Sequence, residues 1–137
     1  MTSHTQLSDH LFLDQFASAQ LDPTLFDHEA HLRLAWLHID RSDVDTAIHN
    51  ISQQLIAYTR HLGAADKYNQ TVTEAAIRAV YHFMLKSTSE NFGEFMKEFP
   101  RLKTHFRELL GQHYGFNVFT SEEGKSSFIA PDLLPFD

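Results

Sequence analysis

Ten histidines and no cysteine in a chain of 137 residues put imidazole at the centre of any chemistry this protein performs. Imidazole binds zinc, copper, iron and nickel and titrates near neutral pH, so the composition offers metal coordination or acid–base work through nitrogen and oxygen donors. The lack of cysteine excludes thiolate zinc sites, iron–sulfur clusters, cysteine nucleophiles and disulfides. The densest group is His28-Glu29-Ala30-His31, followed by His38. On a helix His28 and His31 lie about 60° apart on adjacent turns and can converge on one ion, whereas His38 stands roughly 10 Å beyond His31. His28 and His31 are the metal candidates, with one divalent transition metal as the cofactor they would hold. Two other readings fit the same pair: a metal-free acid–base or ligand site, or ordinary helix residues hydrogen-bonded to carboxylates and backbone. A mononuclear site needs a third protein ligand, for which Asn69, His82 and Glu74 are the distant candidates and Asp27 and Glu29 the local oxygens. The spacing is one residue short of the zincin motif, and the chain contains no Glu-x-x-His segment of the ferritin-like di-iron kind.

A second polar group, Lys67-Tyr68-Asn69-Gln70-Thr71-Val72-Thr73, heads an otherwise apolar helix. A phenol, an amide and hydroxyls at a helix N-terminus can hold an anion or orient a small ligand, although Thr and Asn there are also ordinary capping residues. Tyr68 falls on the inward face, with His82 on the same side near the far end. His28, His31, Tyr68, Asn69 and Thr71 therefore form the candidate site for a metal or a small-molecule ligand, with Thr73 and His82 beside them. The other histidines carry less. His49 and His61 lie off the apolar stripe of their helix, His10, His105 and His113 read as surface, and Thr2-Ser3-His4 would chelate copper or nickel after loss of the initiator methionine.

Phe26-Asp-His28-Glu-Ala-His31-Leu-Arg33-Leu-Ala35-Trp36, then Tyr68-x-x-Thr71-x-Thr73, then Phe128-Ile-x-Pro131-Asp132-Leu133-x-Pro135 resemble a family of small uncharacterised bacterial proteins. Its pattern is F-x-H-x-x-H-[LV]-R-[LV]-A-W, Y-H-x-T-x-T and a terminal P-D-L-x-P. The resemblance spans most of the chain, implies a helical fold, and draws Arg33 and Thr73 into the candidate ligand-binding set with His28, His31, Tyr68 and Thr71. It supplies no reaction. Asn69 stands where the pattern has histidine, which removes a ligand that a three-histidine site would use.

These residues must be positioned by helices. Apolar residues recur at three- and four-residue spacing and only 5 Gly and 4 Pro interrupt them, so we expect an all-α fold. The expected architecture is one domain over 1–137 with a flexible 1–7 segment, a bundle of five or six helices, and an extended C-terminal tail packed on it. The helices are expected from Ser8; from the Leu25–Asp27 stretch to about Arg41; from a Ser42-Asp43-Val44-Asp45 capping box to Leu62-Gly63; from about Asp66 to Lys86; from Ser89 to Phe99; and from Pro100 through Leu110, with a further short one at Ser121-Glu122-Glu123. The Phe92-Phe95-Met96-Phe99 stripe reads first as core. An interaction module built on the Phe-rich helices around Phe92–Phe106, including self-association, is the alternative function. A formal charge of −7 with scattered Lys and Arg argues against nucleic acid as a partner. Apolar runs of at most four residues argue against a membrane, and the start shows no secretory signal, so a cytoplasmic protein is expected. No glycine-rich phosphate loop or nucleophile elbow is present.

Overall fold

The computed structural model describes residues 3–136, and among them every regular element is helical. Eight α-helices follow in order: α1 (Asp9–Ala17), α2 (His28–Arg41), α3 (Val44–His61), α4 (Gln70–Met84), α5 (Phe92–Glu98), α6 (Arg101–Thr104), α7 (Phe106–Gly111) and α8 (Glu122–Ser126). Single 3-10 turns lie at His4–Gln6, Pro23–Leu25 and Ala65–Lys67. The all-α class is as expected, and the chain divides into two compact units, the first ending at Tyr68 and the second beginning at Asn69. The expected sixth helix is two, because His105 adopts φ −132° and ψ 33° between α6 and α7. The Thr104 hydroxyl meets both the Pro100 carbonyl and His105 Nδ1 at that point, competing with the helical backbone pattern.

In the first unit α3 packs on α1 and α2 around Phe12, Phe16, Leu34, Ala47, Ile51 and Tyr58, all buried. The Tyr58 hydroxyl donates to the Leu21 carbonyl at 2.9 Å, which satisfies the phenol inside the apolar core. Residues 32–37 of α2 are buried without interruption, Arg33 among them, so α2 is enclosed around its circumference. The caps follow local chemistry. Ser8 accepts from Leu11 N–H and Asp27 from Ala30 N–H, as expected. At the start of α3 the cap is Asp43, bonded to Thr46 N–H, rather than Ser42, whose hydroxyl turns back to the His38 carbonyl. Residues 3–7, expected to belong to a flexible leader, form a capped turn. Ser3 accepts from Thr5 N–H while Gln6 Oε1 accepts from Ser3 N–H, and His4 and Leu7 are buried. Leu11, expected inward, is 42% exposed.

The second unit is organised around Ala75, Leu110, Tyr114, Val118 and Phe136, with Val72, Phe106 and Phe119 against them. α4 begins at Gln70 rather than near Asp66 because Asn69 Oδ1 accepts from Val72 N–H and so caps the helix. α5 is capped by Asn91, whose Oδ1 accepts from Glu94 N–H. Ser89, the expected cap, gives its hydroxyl to Glu98 at 2.6 Å. The C-terminal segment is docked, as its apolar content suggested: Leu133 N–H donates to the His113 carbonyl, Gly115 N–H to Asp132 Oδ1, and the Tyr114 hydroxyl to the Ile129 carbonyl. The His113 ring, read from sequence as surface, stacks on Phe136 at 4.3 Å.

Two helix ends use the left-handed backbone. After α3, Gly63 has φ +70°, with Ala64 N–H bonded to the Thr59 carbonyl and Gly63 N–H to that of Arg60. After α1 the same arrangement places Ala19 at φ 60°, with Gln20 N–H on the Gln15 carbonyl and Ala19 N–H on that of Phe16. A Cβ in that region costs energy that glycine avoids. Ala19→Gly is expected to raise stability, and Gly63→Ala to lower it, each by about 1 kcal/mol; urea melts of the two variants would show opposite shifts in midpoint.

Candidate functional site

The first turn of α2 carries the histidine pair in the first unit. Asp27 precedes the helix with extended backbone, and its carboxylate caps Ala30 N–H at 2.8 Å. Its carbonyl accepts twice from His31, from the backbone N–H at 3.1 Å and from ring Nδ1 at 2.8 Å. A carbonyl only accepts, so Nδ1 carries the proton, and in the neutral ring Nε2 holds the lone pair. The ring stacks on Phe26 with centroids 3.8 Å apart and planes 25° apart. Desolvation by the surrounding chain pushes the His31 pKa below the ordinary imidazole value, with a smaller push from nearby His28. The hydrogen bond to the Asp27 carbonyl and the Asp27 charge oppose the shift. His31 keeps an exposed surface, and water there limits how far the desolvation carries. His28 is half-buried on the same turn. His38, further along, is also pushed down, by burial and then by the Arg41 charge.

Arg33 belongs to the scaffold rather than to an open binding surface. Its side chain is 7% exposed, and its guanidinium is spent on the protein itself. Nη1 donates to the His4 carbonyl at 2.7 Å, and Nη2 donates to the Leu7 carbonyl and to Asp9 Oδ1, each at 2.8 Å. The plane lies over the Phe12 ring, 4.5 Å from its centroid. His4, which sequence reasoning left to adventitious copper, is a member of this network. Its Nδ1 is 3.3 Å from Arg33 Nη1, a group that can only donate, so Nδ1 accepts there and Nε2–H points to Glu29 Oε1 at 3.0 Å. Thr2 lies outside the described residues, and the buried His4 imidazole is not open to a square-planar copper site. The Ser3-x-x-Gln6 capping box was the sequence signal that this segment is ordered.

Tyr68 closes the first unit in extended conformation after the Ala65–Lys67 turn. Asn69, Thr71, Thr73 and His82 belong to the second unit, where the first three act as ties. Asn69 caps α4 and also donates Nδ2–H to the Val118 carbonyl at 2.9 Å. Thr71 is fully buried; its hydroxyl donates to the Ser127 carbonyl and accepts from Ile129 N–H, both at 3.1 Å. Gly124 of α8 fits beside it because a Cβ there would stand 3.1 Å from the same hydroxyl. Thr73 Oγ1 returns to the Asn69 carbonyl at 2.7 Å. His82, in the last turn of α4, meets Phe83 edge-on. Glu74, proposed as a third ligand, pairs with Arg78 at 3.3 Å. Among the described residues no group of three His, Cys, Asp or Glu side chains is arranged to hold a metal ion, so none of them joins His28 and His31 as a third donor of those types. Phe92 and Phe95 are buried in the second unit, while Phe99 and Met96 are half-buried, Phe99 packing on Phe83 and Phe95.

No family model, no curated protein and no solved structure matches the chain.

The hydrogen bonds of Arg33 and of Thr71 have measurable weight. Arg33→Lys keeps the charge but cannot span the His4 carbonyl, the Leu7 carbonyl and Asp9 at once, and is expected to cost about 2 kcal/mol. Thr71→Val preserves shape but leaves the Ser127 carbonyl and Ile129 N–H unpaired, costing about 1–3 kcal/mol. Chemical denaturation followed by circular dichroism reads both losses; a variant as stable as the parent would deny its residue that structural role.

Proposed function

We propose that the protein binds a divalent transition-metal ion through His28 and His31, at the exposed end of α2 in the first unit, and that binding rather than a self-contained reaction is what the fold provides. The observation that carries this reading is the 2.8 Å bond from His31 Nδ1–H to the Asp27 carbonyl. Metal-ligating histidines commonly donate their second ring N–H to a carbonyl or carboxylate, which fixes the tautomer and orients the lone pair. A lowered pKa keeps more of the ring neutral, the form that coordinates, near physiological pH. Two nitrogen donors favour zinc, cobalt, nickel or copper over magnesium and calcium.

The site proposed from sequence is thereby narrowed to its two histidines. Asn69, Thr71 and Thr73 have structural bonds that account for their polar groups, and Arg33 is committed to the N-terminal turn. The resemblance to a family of small bacterial proteins supports attention to the same helix. A cytoplasmic location is part of the proposal, and among the described residues no helix is long and apolar enough to cross a membrane.

Calorimetric titration with zinc tests the reading. The parent protein should bind with a stoichiometric endpoint, and His31→Gln and His28→Gln should each weaken binding about tenfold or more. Equal zinc affinity in the parent and both variants would contradict it.

A further inference from the structure

We propose that the His28–His31 pair of one molecule and the same pair of a second copy close one four-nitrogen zinc site, so that the metal joins two chains. This inference rests on the metal reading above and names what completes the coordination. Zinc held structurally takes four protein donors in a tetrahedron. The described part of the chain offers the pair on α2 and no third donor arranged with it. Two donors are half of a tetrahedral set. A two-fold axis presents the same patch from both partners, so one copy of the pair becomes two without any further residue being needed.

The placement of the pair agrees with this. His31 is exposed on the first turn of α2, and Phe26 stacked against its ring holds it in one orientation. His28 needs to give only one of its two ring nitrogens, so a hydrogen bond at the other is compatible with ligation. Charge supplies a further argument. Two molecules that each carry a formal −7 repel one another, and a dication between neutral imidazoles offsets that repulsion where the surfaces meet. The Asp27 carboxylate, 63% exposed at the helix start, brings one negative charge from each copy. Two such carboxylates balance the two positive charges that four neutral histidines leave on the metal. Exposed acidic residues at an interface between copies are unfavourable without a cation and favourable with one.

The experiment is sedimentation velocity of the full chain with and without zinc, alongside calorimetric stoichiometry and visible spectra of the cobalt-substituted protein. The expected result is a zinc-dependent doubling of mass, reversed by chelator, that saturates at one zinc per two chains. Cobalt should give the intense visible bands of tetrahedral coordination. His28→Gln and His31→Gln, whose folding is checked by circular dichroism, should each abolish the doubling. One zinc per chain on a molecule that stays monomeric overturns the shared site and leaves the metal reading standing. No zinc binding at all overturns both. A dimer that forms equally without zinc, or persists in either variant, also overturns the shared site.

Discussion

The guanidinium of Arg33 is the constraint on which the first unit depends. An arginine inside a helix that is buried on every side is costly unless its donors are matched, and here they are matched by groups distant in sequence: the carbonyls of His4 and Leu7 and the carboxylate of Asp9. One side chain therefore fastens the N-terminal turn and the start of α1 onto α2. Its plane over Phe12 adds an apolar contact to the same fastening. Lysine offers a point charge in place of a planar fork and cannot reproduce this geometry. The consequence for function is indirect: the turn that holds His4 also meets Glu29, next to His28, so the first turn of α2 is braced from the N-terminal side.

A corresponding role falls to Thr71 and Asn69 in the second unit. Each is a short polar side chain near the start of α4, and each bonds a backbone group roughly fifty residues further on. The irregular segment after α7 is thus tied down by hydrogen bonds as well as by the apolar contacts of Val118 and Phe136. The polar sequence Tyr68 to Thr73 looks like a binding site because hydroxyls and amides clustered at a helix start can hold a ligand. Inside the fold Asn69 and Thr71 instead replace the regular backbone pairing that an irregular segment lacks.

What is legible in the sequence follows from the range of the forces involved. Ser8 and Asp27 were legible as caps because capping is decided within three or four residues. Ser42 and Ser89 misled because a second capping residue stood one or two positions on, and the choice depended on what else each serine touched. The apolar stripes of α2 and α3 and the docking of the C-terminal tail were visible as pattern. His4 was not, since its partners lie 25 and 29 residues away and nothing in the local sequence points to them. Of the candidate site, His28 and His31 were legible from spacing. That Asn69 caps α4 was one of the two readings its position allowed, but the ties made by Arg33 and Thr71 were not legible, because only the three-dimensional partners separate a tie from a ligand contact.

What remains open for chemistry is a small region at the start of α2, where a stacked imidazole is oriented by a backbone carbonyl. The position of its proton is the premise of the proposed metal binding. Long-range nitrogen–proton correlation spectra of the imidazole rings, recorded from mild acid to neutral pH, test it most directly. His31 is expected to be neutral at pH 7 with its proton on Nδ1, to titrate below the ordinary imidazole value, and to show zinc perturbing Nε2. A proton on Nε2 at neutral pH, or a ring still charged there, would contradict the premise.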